Sequence, residues 1–180
     1  MKSLLAFNAI KPIGSIHELS FQKELFDKVT PLVRIICYCL NPNHLHLLIE
    51  EIVENGISRF MRSFAGGYSK YFNIRHRRKG TLFQGPFKAK HITGNEYLLH
   101  LSAYINLNDS VHSLSEPLKN LVRSSWLEYT DESGDICTKD IILGRFSGKK
   151  NDSYKNFALE TLPSMLEKRP EYKELQKLLF

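Results

Sequence analysis

The stretch from residue 36 to residue 50 constrains the fold of this chain more than any other. Its apolar residues fall in two short β-prone runs, which the turn-forming sequence Asn41-Pro42-Asn43 separates. The second run begins with His44-Leu45-His46, and because side chains alternate along a strand, both imidazoles are expected on one face of a sheet. The stretch therefore predicts a strand, a turn and a second strand, with two histidine ligands for a metal ion. Solvated or hydrogen-bonded histidines are the alternative.

Size and composition allow one hydrophobic core with a small appendage. The chain has 180 residues, and 42% of them are hydrophobic. It contains neither a long apolar run that could span a membrane nor an N-terminal signal sequence, so we expect a soluble, intracellular protein. Its cysteines, Cys37, Cys39 and Cys137, form no even disulfide framework, and we expect them to be small buried hydrophobic residues.

Hydrophobic periodicity predicts helices on both sides of the histidine pair. An amphipathic helix is expected over residues 15–29, and a longer helix is closed by basic residues near Gly80, with Gly66-Gly67 weakening or bending it. A third helix is expected to start at the capping box Thr93-Gly94-Asn95-Glu96 and to run to about Asn108. Further helical patterns occur in the C-terminal third, over residues 138–146, 151–162 and 170–179.

The third predicted helix carries residue types that complement the histidines. Tyr104 and Asn108 are four residues apart and would share one face of that helix. The side-chain oxygen of Asn108 is a candidate third metal ligand, and the phenol of Tyr104 would lie beside the open positions of the metal. Nitrogen and oxygen ligands that leave positions free for phosphate oxygens suit a divalent ion acting as a Lewis acid.

Positive charge is concentrated in one part of the chain. The formal net charge is +6, one basic block runs from Arg75 to Lys79, and Lys88, Lys90 and His91 follow it closely. Such a cluster is expected of a protein that binds the phosphate backbone of a nucleic acid. A solvated charged surface is the alternative.

Five runs of the sequence occur together in one order, at residues 38–48 (YCLNPNHLHLL), 71–73 (YFN), 80–88 (GTLFQGPFK), 97–99 (YLL) and 104–108 (YINLN). In type and order they closely resemble the single-tyrosine HUH transposases, in particular the REP-associated branch of that family. The resemblance covers roughly residues 32–127. Because several motifs contribute to it, it is far more specific than the histidine pair alone.

This resemblance implies an α+β fold, in which a ferredoxin-like sheet with packed helices holds the histidines on a central strand. It implies that His44 and His46 are metal ligands, that Asn108 takes the position of the third ligand and that Tyr104 is the catalytic nucleophile. We expect Mg²⁺ or Mn²⁺ as the cofactor. The catalytic domain is expected over residues 1–127, and a helical C-terminal appendage over residues 128–180.

The implied activity is that of a transposase that cuts and rejoins single-stranded DNA, often folded into a hairpin. Attack by Tyr104 would form a 5′-phosphotyrosine link and release a 3′-hydroxyl, and a second hydroxyl could then reseal the strand without ATP. A phenol with a pKa of about 10 attacks poorly at neutral pH, so a metal or basic surroundings must favour the phenolate. Core packing is the expected role of the competing tyrosines Tyr68, Tyr71 and Tyr97.

DNA binding gives the basic cluster a role, since a single strand needs cations for its backbone and aromatic platforms for its unpaired bases. The candidate DNA-binding residues are Arg75, Arg77, Arg78, Lys79, Gln84, Lys88 and Lys90. Phe83 and Phe87 are candidates for stacking on bases, although burial in the core is the commoner use of such residues. We expect a cytoplasmic, nucleoid-associated protein without membrane contact.

The resemblance is incomplete at the N-terminus. Relatives begin with a strand carrying a His-Val-x-Asn-Arg-Gly-like segment, and Met1–Asn8 shows nothing equivalent. An exposed sheet edge is normally covered or paired, so the chain is expected to lack its first strand, to be domain-swapped or to be a homodimer through that edge. This departure keeps an alternative open, a degenerate or domesticated relative that binds hairpin DNA without cutting it. Another metal-dependent phosphodiesterase is disfavoured, because Leu47-Leu48-Ile49 follows the pair where such hydrolases have Asp-His.

Overall fold

The computed structural model describes residues 2–9, 30–131 and 134–170, and over these residues the fold is α+β. Three strands form one sheet, and helices pack against it. The helix predicted over residues 15–29 lies outside the described residues. In chain order the elements are α1 (Lys2–Ala6), β1 (Val33–Leu40), β2 (Leu45–Glu51), α2 (Gly56–Arg75), α3 (Asn95–Asn106), α4 (Asn108–Val111), α5 (Glu116–Lys119), β3 (Arg123–Ser124), α6 (Trp126–Thr130), α7 (Asp140–Leu143) and α8 (Lys150–Glu167).

The predicted strand-turn-strand is confirmed as β1 and β2. The N–H of Asn41 donates to the carbonyl of His44 at 2.9 Å and closes the turn between them. The strand order is β2-β1-β3, so β1 is the central strand and is buried over most of its length, which explains its nearly continuous apolar sequence. The resemblance implied histidines on a central strand, whereas among the described strands β2, which follows His44, is an outer one.

The pairing of β1 extends well beyond the two residues of β3. Cys39 and Leu40 of β1 pair with Ser124 and Arg123 of β3 in antiparallel register. Further along, the carbonyls of Tyr38 and Ile35 accept hydrogen bonds from the N–H groups of Ser125 (3.0 Å) and Thr138 (2.8 Å). The carbonyl of Ile36 accepts one from the hydroxyl of Tyr129 at 2.8 Å. Backbone groups of β1 are thus satisfied by residues 123–138 of the same chain, and the predicted homodimer stays a prediction.

Two compact units make up the chain, the first from residues 1–34 and 50–88 and the second from residues 35–49 and 89–180. In the first unit the side chain of Asn8 fixes the start of β1, since its Oδ1 accepts from the N–H groups of Leu32 (3.0 Å) and Val33 (2.9 Å). Helix α2 runs unbroken through Gly66-Gly67, and a Cβ at Gly67 would collide with the ring of Phe7. Gly67 therefore allows a close approach to α2.

Buried polar residues hold the second unit together. Glu128 accepts from the hydroxyl of Tyr38 at 3.0 Å and from the backbone N–H groups of Ile136 (3.1 Å) and Cys137 (3.0 Å). The three cysteines are buried and free, as predicted, and burial raises the pKa of the Cys37 thiol to about 12. This network ties β1 to the segment that follows α6.

The end of α3 is anchored by a second buried network. Asn106 accepts from the hydroxyl of Ser125 at 2.5 Å and donates to the hydroxyl of Tyr154 at 2.8 Å. Ser125 precedes α6 and Tyr154 lies on α8, so the last residue of α3 is joined to both regions. The candidate residues that follow α3 are therefore held on a fixed helix end.

Several predicted element boundaries are wrong. Helix α3 starts after Gly94, whose φ of 96° suits glycine, and no side chain caps its first turn, so the predicted capping box at Thr93 is absent. Helix α2 ends at Arg75 rather than near Gly80, because Arg77 adopts a φ of 50°. Helix α3 ends at Asn106, and Asn108 opens the separate helix α4.

The C-terminal third is helical, as predicted, but its helices differ in length from the pattern. Helix α7 is shorter than the predicted 138–146, and α8 is longer than the predicted 151–162 because it continues through Pro163. Nearly all of the predicted final helix lies outside the described residues. The predicted domain boundary after residue 127 falls inside α6, and it stays a prediction. None of the described helices is long and apolar enough to cross a bilayer.

Candidate active site

The second unit brings the predicted histidine pair and the predicted tyrosine together. His44 immediately precedes β2 and His46 is its second residue, and the centroids of their rings are 4.9 Å apart in an edge-on arrangement. The ring of Tyr104, on the last turn of α3, lies 5.9 Å from that of His46, again edge-on. Two segments far apart in sequence therefore meet at one point.

Two asparagines of the turn orient the ring of His44. Its Nδ1 lies 2.8 Å from the Oδ1 of Asn43, and its Nε2 lies 2.9 Å from the Nδ2 of Asn41. An amide oxygen can only accept and an amide nitrogen can only donate, so the ring hydrogen is on Nδ1 and the lone pair on Nε2. In this tautomer the lone pair that could ligate a metal lies on Nε2, where it accepts from Asn41.

Both histidines are in the neutral form that a metal requires. Burial lowers the pKa of His44 below its usual value. Burial, together with the nearby His44 and His112, lowers the pKa of His46 to about 4. At neutral pH each imidazole is therefore uncharged, and one of its ring nitrogens carries a lone pair.

Asn108 enters the site from the start of α4. It is buried, and its Oδ1 accepts from the Nδ2 of Asn41 at 2.8 Å. Its own Nδ2 is buried and makes no hydrogen bond within the described part of the chain. An unsatisfied buried amide costs about 1–3 kcal/mol, which fits a residue placed for its oxygen.

The predicted donors carry no charge, and the divalent cation expected from the sequence stays a prediction. Two imidazole nitrogens and the oxygen of Asn108 are neutral, and no group of three or more His, Cys, Asp or Glu residues suited to a metal occurs among residues 2–9, 30–131 and 134–170. A DNA phosphate would then supply the negative charge that the protein side chains do not.

His112 is a candidate functional residue that the sequence analysis missed. Its Nε2 lies 3.1 Å from the hydroxyl oxygen of Tyr104, which is itself buried. Arg169 holds the backbone in place by donating to the carbonyl of His112 at 2.5 Å. His112 follows α4, so the break between α3 and α4 separates it from Tyr104. The helical repeat that runs through Tyr104 therefore does not predict their contact. No signal in the sequence marked it.

A small pocket opens beside these groups. Its volume is about 230 Å³, and it is lined by Asn41, Pro42, Asn43, His44, Asn108, His112, Leu114 and Leu118. Its walls combine the polar groups of the turn with leucine side chains.

The candidate DNA-binding residues are exposed. Arg75, Arg77, Arg78, Lys79, Gln84 and Lys88 belong to the first unit, and Lys90 belongs to the second. Within the first unit the guanidinium of Arg78 lies 5.7 Å from the centre of the Phe72 ring. In the second, the ammonium of Lys90 lies 5.1 Å from the centre of the Tyr97 ring. Cations paired with aromatic faces suit nucleic-acid binding, and that role stays a prediction.

Of the remaining aromatic residues considered for catalysis or base stacking, some pack within the first unit and others are exposed. Tyr68 packs against Phe64 and Phe83 in the first unit, at centroid distances of 6.3 Å and 6.4 Å, so both Tyr68 and Phe83 have packing roles there. Phe87 is exposed and remains available for stacking. Tyr71 and Tyr97 are also exposed, which differs from the predicted core packing.

Comparison with known proteins gives one match. Residues 23–108 match the family model described as "Transposase IS200 like". No curated protein and no solved structure matches the chain. The matched segment contains the histidine pair and Tyr104 and ends at Asn108, whereas His112 and the C-terminal helices lie beyond it.

Proposed function

Because this chain belongs through residues 23–108 to the IS200-like transposase family, a single-tyrosine HUH family, we propose that it cuts and rejoins single-stranded hairpin DNA through a 5′-phosphotyrosine intermediate on Tyr104. The observation that carries the proposal is the position of the Tyr104 ring, 5.9 Å from that of His46. Exposed cations and aromatic residues in both units would hold the DNA.

His44, His46 and Asn108 would hold a divalent ion, Mg²⁺ or Mn²⁺. When bound, that ion would polarise the scissile phosphate and stabilise the negative charge that develops on it. The neutral state of both imidazoles and the inward direction of the Asn108 oxygen support this assignment.

Tyr104 would act with His112. The hydrogen bond of 3.1 Å holds the phenol oxygen, and in the tautomer whose Nε2 carries the lone pair the imidazole can receive its proton. The phenol oxygen then bonds to phosphorus while the bond from phosphorus to the 3′ oxygen breaks, and that oxygen takes a proton from solvent. A second 3′-hydroxyl attacking the phosphotyrosine reverses these steps and rejoins the strands.

The test is covalent capture. The purified chain is incubated with Mg²⁺ or Mn²⁺ and a labelled pool of single-stranded oligonucleotides with randomised hairpins, and the product is separated under denaturing conditions. We expect a DNA adduct that maps to Tyr104 by mass spectrometry. Tyr104→Phe should abolish the adduct but retain DNA binding, and Tyr68→Phe, a tyrosine that packs against Phe64 on α2, should leave the adduct unchanged.

Two outcomes would contradict the proposal. An adduct that survives Tyr104→Phe would overturn the assignment of the nucleophile. Hairpin binding without any adduct, with either metal, would support the alternative of a hairpin-binding protein that does not cut.

A further inference from the structure

The side chain of Asn41 lies between two of the candidate ligand atoms. Its Nδ2 is 2.9 Å from the Nε2 of His44 and 2.8 Å from the Oδ1 of Asn108. Both neighbours present lone pairs, and the amide offers each of them one hydrogen. The two hydrogens of the Asn41 amide therefore face two candidate ligand atoms.

These distances match the edges of an octahedral coordination shell. Ligands at about 2.1 Å from a Mg²⁺ ion, at right angles to one another, are about 3.0 Å apart. The end of the Asn41 side chain is separated from the His44 and Asn108 donors by 2.9 Å and 2.8 Å. The end of the Asn41 side chain therefore already has ligand-to-ligand spacing to both neighbours.

Rotation of the amide would place an oxygen at this position without moving the backbone. The Oδ1 of Asn41 now lies 3.6 Å from the Sγ of Cys39, a weak partner that an amide nitrogen can replace. Without a cation the nitrogen is preferred, because an oxygen would face two other lone pairs. With a cation the preference reverses.

We propose that Asn41 is a fourth protein ligand, through its Oδ1, for the divalent ion that the proposed function assigns to His44, His46 and Asn108. The inference rests on that function and deepens it. Two nitrogens and two amide oxygens would leave two positions of an octahedral shell for oxygens of the scissile phosphate. A shell with this share of oxygen suits Mg²⁺ or Mn²⁺ better than a thiophilic ion.

The experiment is a Mn²⁺ titration of the full chain without DNA, in which electron paramagnetic resonance measures free Mn²⁺. Asn41→Ala should weaken binding at least about tenfold. Asn41→Asp should bind at least as tightly as the unmodified chain, because a charged carboxylate oxygen replaces the amide oxygen. Asn120→Ala, an exposed asparagine outside the site, is the matched control and should bind normally.

Asn41→Asp separates a ligand from a residue that merely holds its neighbours through N–H groups. Weaker binding by Asn41→Asp, with an unchanged thermal unfolding curve, would overturn the inference, as would unchanged or tighter binding by Asn41→Ala. If His44→Ala abolishes binding while Asn41→Ala does not, only this inference fails. If the unmodified chain binds no Mn²⁺, the metal of the proposed function fails, and the inference fails with it.

Discussion

A buried carboxylate in the second unit contrasts with an exposed block of basic residues in the first. In the second unit the carboxylate of Glu128 is buried and accepts three hydrogen bonds. In the first, the basic residues that end and follow α2, from Arg75 to Lys79, are exposed. A buried group that is removed leaves its partners unsatisfied, whereas exposed cations act through additive, salt-dependent attraction. Substitutions should therefore have large, specific effects at the buried Glu128 and small, cumulative ones at the exposed basic block.

The largest effect is expected at Glu128. Glu128→Ala leaves the Tyr38 hydroxyl and two backbone N–H groups buried without their acceptor, and should lower the free energy of unfolding by about 3 kcal/mol or more. Urea denaturation measures this. Glu116→Ala, an exposed glutamate on α5, is the control and should change it by less than about 0.5 kcal/mol. Equal losses in the two variants would remove the contrast between buried and exposed charge.

An effect of intermediate size is expected at His112, and it concerns rate rather than stability. His112→Ala should slow adduct formation about 100-fold, because the phenol of Tyr104 loses its hydrogen-bond partner and proton acceptor. His112→Gln can still hold the phenol oxygen but is a poor proton acceptor, so it should fold and bind DNA normally and remain slow. His100→Ala, an exposed histidine on α3, provides the control in quenched single-turnover assays. A His112→Gln variant of normal rate would reduce His112 to a positioning role.

The smallest effect is expected at the basic block. Lys79→Gln should weaken hairpin binding by a few-fold and lower the slope of log affinity against log salt by about 0.7, as expected for one lost contact to single-stranded DNA. Adding Arg77→Gln should roughly double both changes. Fluorescence anisotropy at several salt concentrations measures them, and Lys155→Gln on the exposed side of α8 is the control. If the single variant, the double variant and the control all show the same slope of log affinity against log salt, the basic block is not part of the DNA interface.

The sequence predicted the strand-turn-strand of β1 and β2 well, because local preferences govern it. Side chains alternate along a strand, and Asn41-Pro42-Asn43 strongly favours a turn, so strand, turn and histidine placement follow from local preferences. The meeting of Tyr104 with the histidines was predicted from the complementary chemistry of these residue types and from the family resemblance. Local pattern alone gave no reason to place residues 44 and 104 together.

The helical side of the site was harder to predict because its boundaries depend on backbone angles. Gly94 adopts a φ of 96°, and α3 starts after it without the expected side-chain cap. The helix is interrupted at Leu107, between α3 and α4. A continuous helix would have aligned Tyr104 with Asn108, whereas the break brings in His112. Glu128 likewise shows no sign of burial in its local pattern, since its partners come from distant residues.

The long-range pairing of β1 has a consequence for how the protein is made. Cys37 and Tyr129 are in hydrogen-bond contact although 92 residues separate them, and Ser125 and Thr138 complete the backbone pairing of the strand that leads to His44. Pairings this distant form late, after the loop between them has closed. On the ribosome, the histidine turn is synthesised long before the residues that brace its strand. A candidate site built in this way gains its final geometry only after most of the polypeptide has emerged, so an interrupted translation product would lack it.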